Sequence, residues 1–366
     1  MKACRHRRLL EVRTRVFSSL AVALGLAVAA PVAQASESRS AATKVALAAG
    51  KADEAATAGA LQAFVLTSSP DSFADLQAHP GAVGVIYPTY FQCAVPSGVV
   101  QGSGDPEVDA YAAAHALAEL PRFSCQDGAT VHRILTEPRL RARTLARLLA
   151  LAAGPAYAGL NLDLENDRAR DRAALSSFVA ALAARLHAAH RKLAVDVDGV
   201  LREDPHRATY LYNDAAIAAV ADTVFVMAWG IHWERSDPGP DAPLPYVEGV
   251  ARRLARLPHA RRFVLGVPMY GLDWPARGGP AHPATALQYA GVLALAHTVS
   301  ATPTRDPASG EMTFSYTRAG VIHHVWYLDA RAIAARLALA RRFGLAAGLW
   351  RLGEEDQEVW GAPGVA

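Results

Sequence analysis

The chain of 366 residues is 52% hydrophobic and 19% charged, a balance that supports a large buried core and excludes a disordered, charge-rich polymer. Its formal charge is +3, but six basic side chains (Lys2, Arg5, Arg7, Arg8, Arg13 and Arg15) and one acid lie in the first 35 residues, and without that segment the charge is −2. The arginine pairs that remain, Arg252-Arg253, Arg261-Arg262 and Arg341-Arg342, fall at the ends or on the faces of helical segments and form no phosphate-tracking surface, so nucleic acid is not an expected partner.

In chain order, the basic start is followed by the apolar run Leu20 to Val32 and by Ala33-Gln34-Ala35 before Ser36, which predicts a signal peptide over residues 1–35, cleaved near Ala35. A membrane anchor is the alternative, but the run is shorter than the roughly 18 to 20 residues a span needs. The mature protein is therefore expected to be secreted, extracellular or periplasmic, without stable membrane insertion. Residues 36–58, rich in Ala, Ser, Lys and Glu and free of aromatics, read as a flexible linker.

From residue 59 onward short apolar runs alternate with longer helical stretches. Strands are expected at Ala63 to Thr67, Val83 to Pro88, Leu120 to Ser124, Gly159 to Glu165, Leu193 to Asp198, Thr223 to Trp229, Phe263 to Tyr270 and Ala346 to Arg351. Helices are expected between them, among them Glu107 to Glu119, Arg139 to Ala153, Arg168 to His190 and Ala330 to Phe343. Eight strands alternating with helices predict an α/β fold, a (β/α)8 TIM barrel over 59–366. A doubly wound open sheet is the rival, but no Gly-x-Gly-x-x-Gly turn follows the first strand. Strands 7 and 8 stand too far apart for one crossover, so a small α+β insertion is expected at about 275–328. It would hold a helix over 283–298, a hairpin about Asp306 to Gly310 and a strand from His324 to Leu328.

The segment Gly159-Leu160-Asn161-Leu162-Asp163-Leu164-Glu165 alternates polar and apolar residues with the period of a strand. Its leucines face one way; Asn161, Asp163 and Glu165 face the other, with the acids at the strand's C-terminal end, where barrel enzymes place catalysis. An edge strand with one wet face is the plainer reading of the same alternation. Residues i and i+2 on one face lie about 7 Å apart, so the two acids approach a substrate from the same side. Same-side acids suit a route in which the sugar's own 2-acetamido oxygen attacks, rather than two carboxylates that flank the anomeric carbon.

These residues resemble the strand-4 signature of glycoside hydrolase family 18, the chitinase family, Asp-x-x-Asp-x-Asp-x-Glu, which reads Ala158-x-x-Asn161-x-Asp163-x-Glu165 here. Met227-Ala228-Trp229, Leu265 to Gly271 and Gly348 to Gly353 follow in the family's order, and Asn161 and Val325-Trp326-Tyr327 are closest to the bacterial cell-wall and spore-germination branch. The resemblance implies a retaining, substrate-assisted glycosidase acting on chitin or peptidoglycan, with Glu165 as acid and base, Asp163 stabilising the oxazolinium ion and Asn161 beside it. It also implies substrate contacts from Met227, Trp229 and Trp350. Trp229 and Gly230 stand where the family usually has Tyr and an acid, which leaves a catalytically weak, carbohydrate-binding protein as the alternative.

Tyr270 and Tyr90 are further candidates for lining the cleft; Trp233 and Trp274 are open between stacking and core. His232, His323 and His324 lack the carboxylate or cysteine spacing of a metal site, so no metal and no cofactor are expected. A barrel enzyme using Asp163 and Glu165 as metal ligands remains a third reading. Cys4 leaves with the signal; Cys93 and Cys125 are either a disulfide or two free thiols. The expected state is a monomer whose partner is a polysaccharide.

Overall fold

The structure is a computed structural model, and it describes residues 60–154, 156–165, 169–202 and 211–362. The signal peptide and linker expected over 1–58 lie outside the described residues. Among the described residues no helix is long and apolar enough to cross a membrane.

The fold is α/β. The main sheet is built from β1 (Leu61–Val65), β2 (Val83–Pro88), β3 (Phe91–Ala94), β4 (Val99–Gly102), β5 (Ala118–Glu119), β6 (Arg122–Cys125), β7 (Gly159–Leu164), β8 (Lys192–Asp198), β9 (Thr223–Met227) and β10 (Phe263–Pro268), with a last strand at Ala346–Trp350. Parallel ladders join β1 to β2, β2 to β5, and β6 through β7, β8, β9 and β10 to the last strand, which pairs back onto β1. The sheet is therefore curled like a barrel, and β5 and β6 act as two halves of one strand. The expected strand over 120–124 is split at Pro121, which has no N–H to donate to a ladder.

Helices α1 (Pro70–Ala78), α2 (Pro106–Ala114), α3 (Gly128–Thr136), α4 (Pro138–Ala152), α5 (Arg172–Ala188), α6 (Asp214–Val220) and α7 (Leu244–Leu254) fill the crossovers. In α5, Leu175, Phe178, Val179, Leu182 and Leu186 repeat at the three- and four-residue spacing of one helix face, and all are buried. α2 ends well before Glu119, where the helix was expected to reach. The chain leaves it through Ala116 at φ 59°, because Ala118 and Glu119 pair with Val85 and Ile86 of β2. Asp127 caps α3 by accepting from the Thr130 N–H at 2.8 Å, a contact worth about 1 kcal/mol.

A second sheet, five-stranded and antiparallel, is built from β11 (Gly271–Pro275), β12 (Thr285–Leu287), β13 (Thr304–Arg305), β14 (Met312–Arg318) and β15 (Val321–Tyr327), with α8 (Tyr289–Thr298) packed on it; α9 (Ala330–Arg342) then leads to β16 (Ala346–Trp350). Residues 285–287, expected as helix, pair with Gly271 to Asp273 instead. The hairpin about Asp306 to Gly310 forms between β13 and β14.

Two cores result. The leucines of β7 join the large cluster under the helices, whereas Ala158, Ala194, Phe64, Val85, Tyr87, Phe225 and Val264 pack together inside the curled sheet. Gly266 and Gly348 make room there: a Cβ on Gly348 would stand 2.2 Å from the Phe225 ring, and one on Gly266 would stand 2.7 Å from the Trp229 ring.

Candidate active site

β7 carries its polar residues up the inner face of the sheet from an apolar floor. Ala158, at the position of the signature's first aspartate, belongs to that floor. Above it Asn161 is 0% exposed and Asp163 1%, while Glu165, one residue past the strand end, is part-exposed. Its N–H donates to the Cys125 carbonyl at 3.0 Å, continuing the β6–β7 ladder to the acid itself.

Asp163 and Glu165 open into one cavity of about 160 Å³, lined also by Phe64, Arg122, Gln126, Asp196, Phe225, Met227, Trp229 and Trp350. The rings of Trp229 and Trp350 lie 6.5 Å apart and nearly parallel, at 25°, and Phe64 meets Trp350 edge-on at 4.9 Å. The Trp350–Arg351 peptide bond is cis.

Each acid has a partner from β6 or its exit. The Arg122 guanidinium forms an ion pair with Asp163 and lies 5.0 Å from the centre of the Trp350 ring, and Gln126 Nε2 donates to Glu165 Oε1 at 2.7 Å. Burial and the neighbouring Asp163 charge push the Glu165 carboxyl up to about 7; Asp198 raises it further, and Gln126 and Arg122 oppose them. One β8 acid, Asp198, is pushed up to about 6 by burial and Asp163, and its neighbour Asp196, fully buried, is held well above the carboxylate range for the same two reasons.

Of the residues singled out in the sequence, Asp163, Glu165, Met227, Trp229 and Trp350 meet at this cavity. Asn161 does not reach it. Its Nδ2 donates to Asp196 Oδ1 at 2.6 Å instead of to Asp163, because Asn161 stands opposite Ala194 in the β7–β8 register and Asp196 rises beside it two residues on. Tyr90 is not a lining residue either: it is 5% exposed and its hydroxyl donates to Asp109 Oδ1 at 2.8 Å. Tyr270 hydrogen-bonds Asp241, whose Oδ1 accepts from the Gly230 N–H at 2.7 Å, and lies outside the lining set. Gly230 adopts φ +83°, a conformation that disfavours the acid expected there from the family pattern.

Trp274 is fully buried and Trp233 is 52% exposed. Cys93 and Cys125 form a disulfide with their Cα atoms 5.1 Å apart. Among the described residues no group of His, Cys, Asp or Glu has the arrangement of a metal site.

Arg122, Gln126 and Asp196 were not singled out in the sequence. Asp196 had a legible signal, because Ala194, Asp196 and Asp198 alternate with Val195 and Val197 as the β7 acids alternate with leucines. Arg122 had a weaker one, a lone charge inside a short apolar run.

Comparison with known proteins gives the family. The model for glycosyl hydrolases family 18 matches residues 132–355. A glycosylase of Bacillus subtilis (strain 168), YvbX, described as uncharacterized, is 28% identical over 239 residues, 64% of this chain and 69% of its own length. The cortical fragment-lytic enzyme of Bacillus anthracis is 22% identical over 232 residues, 62% of this chain and 54% of its own, so the chain spans only part of these relatives. Among solved structures, a chitinase from Chromobacterium violaceum superposes with a TM-score of 0.73 at 27% identity, over 82% of this chain and 96% of that one. With the match spanning β7 to β16 and both signature acids lining the cavity, the chain belongs to glycosyl hydrolases family 18, a family of glycosidases.

Proposed function

We propose that the protein hydrolyses β-1,4-linked glycans that contain N-acetylglucosamine, with retention of configuration and assistance from the substrate. The observation that carries this reading is the approach of Asp163 and Glu165 from the same strand face to one cavity that the Trp229 and Trp350 rings also line. In this reading a sugar stacks on Trp350 in the cavity that Glu165 also lines, and Glu165 protonates the glycosidic oxygen as the bond to the anomeric carbon breaks. The 2-acetamido oxygen forms the new bond to that carbon. Asp163 stabilises the positive oxazolinium ion. Water then adds to the anomeric carbon, giving its proton to the Glu165 carboxylate, and the acetamide re-forms.

A Glu165 carboxyl raised to about 7 is supplied with its proton at mildly acid pH, which supports this role. The names of the relatives support chitin and peptidoglycan strands as the two polymers to try. In this reading residues 59–366 are one (β/α)8 barrel, the five-stranded sheet is an insertion between strands 7 and 8, and the protein is a secreted monomer. A second reading, a glycan-binding protein with little turnover, is favoured by Trp229 and Gly230 at the places of the family's Tyr and acid.

The test is incubation of the purified protein and of Glu165→Gln with chitin oligomers and with peptidoglycan, followed by mass spectrometry of soluble products. Reducing-end N-acetylglucosamine products from the unaltered protein alone support hydrolysis and identify the polymer. Binding by both proteins without product supports the second reading.

A further inference from the structure

Arg122 and Gln126 stand four residues apart on β6 and its exit, and each engages a different acid. The β6–β7 register sets this pairing: Arg122 lies opposite Asn161 and Ser124 opposite Asp163, so the side chains of β6 reach the β7 acids that rise beside them. An amide that donates to Glu165 Oε1 leaves the acid's own proton to the other oxygen, Oε2. That defines which oxygen can face a glycosidic bond.

Gln126 itself is exposed, so packing does not fix its aim; its backbone must. The parallel pairing of β3 with β6 covers only Phe91 with Phe123 and Gln92 with Ser124. Beyond that point the β7 side of the strand is still held by the ladder through Cys125, and on the β3 side the Cys93–Cys125 bond takes over, at the residue directly before Gln126.

We propose that Arg122 and Gln126 are positioning residues, Arg122, over the Trp350 ring, fixing the Asp163 carboxylate and Gln126 directing the Glu165 proton to Oε2, with the Cys93–Cys125 bond keeping Gln126 on target. The inference rests on the hydrolysis proposed above. The groups that face Glu165 are Asp163 from β7, Asp196 and Asp198 from β8, Tyr212, and the two β6 residues. Of these only Arg122 and Gln126 hold the Glu165 carboxyl down, so loss of either raises the pH at which it ionises.

The experiment reads the Glu165 carboxyl directly, by carbon-13 NMR titration of the intact protein, its signal identified by its absence from Glu165→Gln. It is paired with pH–rate profiles on a chitin tetramer. Gln126→Leu is expected to move the titration midpoint and the basic limb of the rate profile upward together, and to lower kcat at least about ten-fold with little change in KM. Arg122→Met is expected to move both in the same direction, with Arg122→Lys restoring most of the shift. Cys93→Ala/Cys125→Ala is expected to shift them as Gln126→Leu does, in addition to lowering Tm. Unmoved midpoints in Gln126→Leu and Arg122→Met, with thermal unfolding that shows both variants folded, overturn the inference. A wild-type protein that yields no product defeats the hydrolytic reading instead, and the NMR midpoints still decide the placement of Arg122 and Gln126.

Discussion

Asn161 Nδ2 donates to Asp196 Oδ1 at 2.6 Å, which turns the changed second position of the signature away from Asp163 and toward a buried acid on the neighbouring strand. Burial and the Asp163 charge hold Asp196 well above the usual carboxylate range, whereas an unfolded aspartate titrates near about 3.9. A carboxyl raised in the folded state contributes its full stability below the unfolded value and loses it as pH climbs toward the folded one. Asp196→Asn keeps the acceptor for Asn161 and removes that loss. Its Tm relative to the parent is expected to improve steadily from about pH 4 upward; a Tm difference that does not change with pH means Asp196 titrates in the fold as it does unfolded.

Glu165 is the residue on which turnover depends in the proposed reaction. Glu165→Gln is expected to lower kcat by about 10² to 10⁴ while retaining oligomer binding, as checked by single-turnover product analysis and by calorimetry. Because the acid form is the active one and its carboxyl is raised to about 7, the rate should fall on the basic side from near that pH.

The alternation of β7 was legible because a strand's period of two is local: Leu160, Leu162 and Leu164 against Asn161, Asp163 and Glu165 fixes two faces without knowledge of any neighbour. The partners of those acids were not. Arg122 lies 41 residues from Asp163 and Gln126 39 from Glu165 in the chain, and only the β6–β7 stagger brings them together. The same limit hid the split at Pro121 and turned Ala118 and Glu119 from helix to strand, since pairing with β2 outweighs the helical preference of alanine there. Tyr90 shows the converse error: its place after strand 2 suggested the cleft, but a hydrogen bond to Asp109 draws it into the core.

The Cys93–Cys125 bond closes a loop with a sequence separation of 32. Reduction is expected to cost about 2 to 4 kcal/mol and lower Tm by several degrees, measured by calorimetry with and without dithiothreitol.

Gly348 faces the Phe225 ring so closely that any side chain there must displace it. Gly348→Ala is expected to destabilise by about 1 to 3 kcal/mol and, by pushing Phe225 against Trp229, to weaken glycan binding. Denaturant unfolding and a binding isotherm on one preparation separate the two effects.

Arg336, on α9, is 0% exposed. Its guanidinium donates to the Ala242 carbonyl and meets Glu311, whose carboxylate in turn accepts from the N–H groups of Asp241 and Ala242. Glu311 belongs to the turn between β13 and β14, and Asp241 holds the Gly230 N–H beside Trp229. The appended sheet is thus keyed into the rim through a buried cation whose neighbours it supplies. Excising residues 271–328 to obtain a minimal barrel would leave Arg336 without its carboxylate and the Trp229 loop without its brace, so this region is poor ground for trimming or for grafting a foreign module.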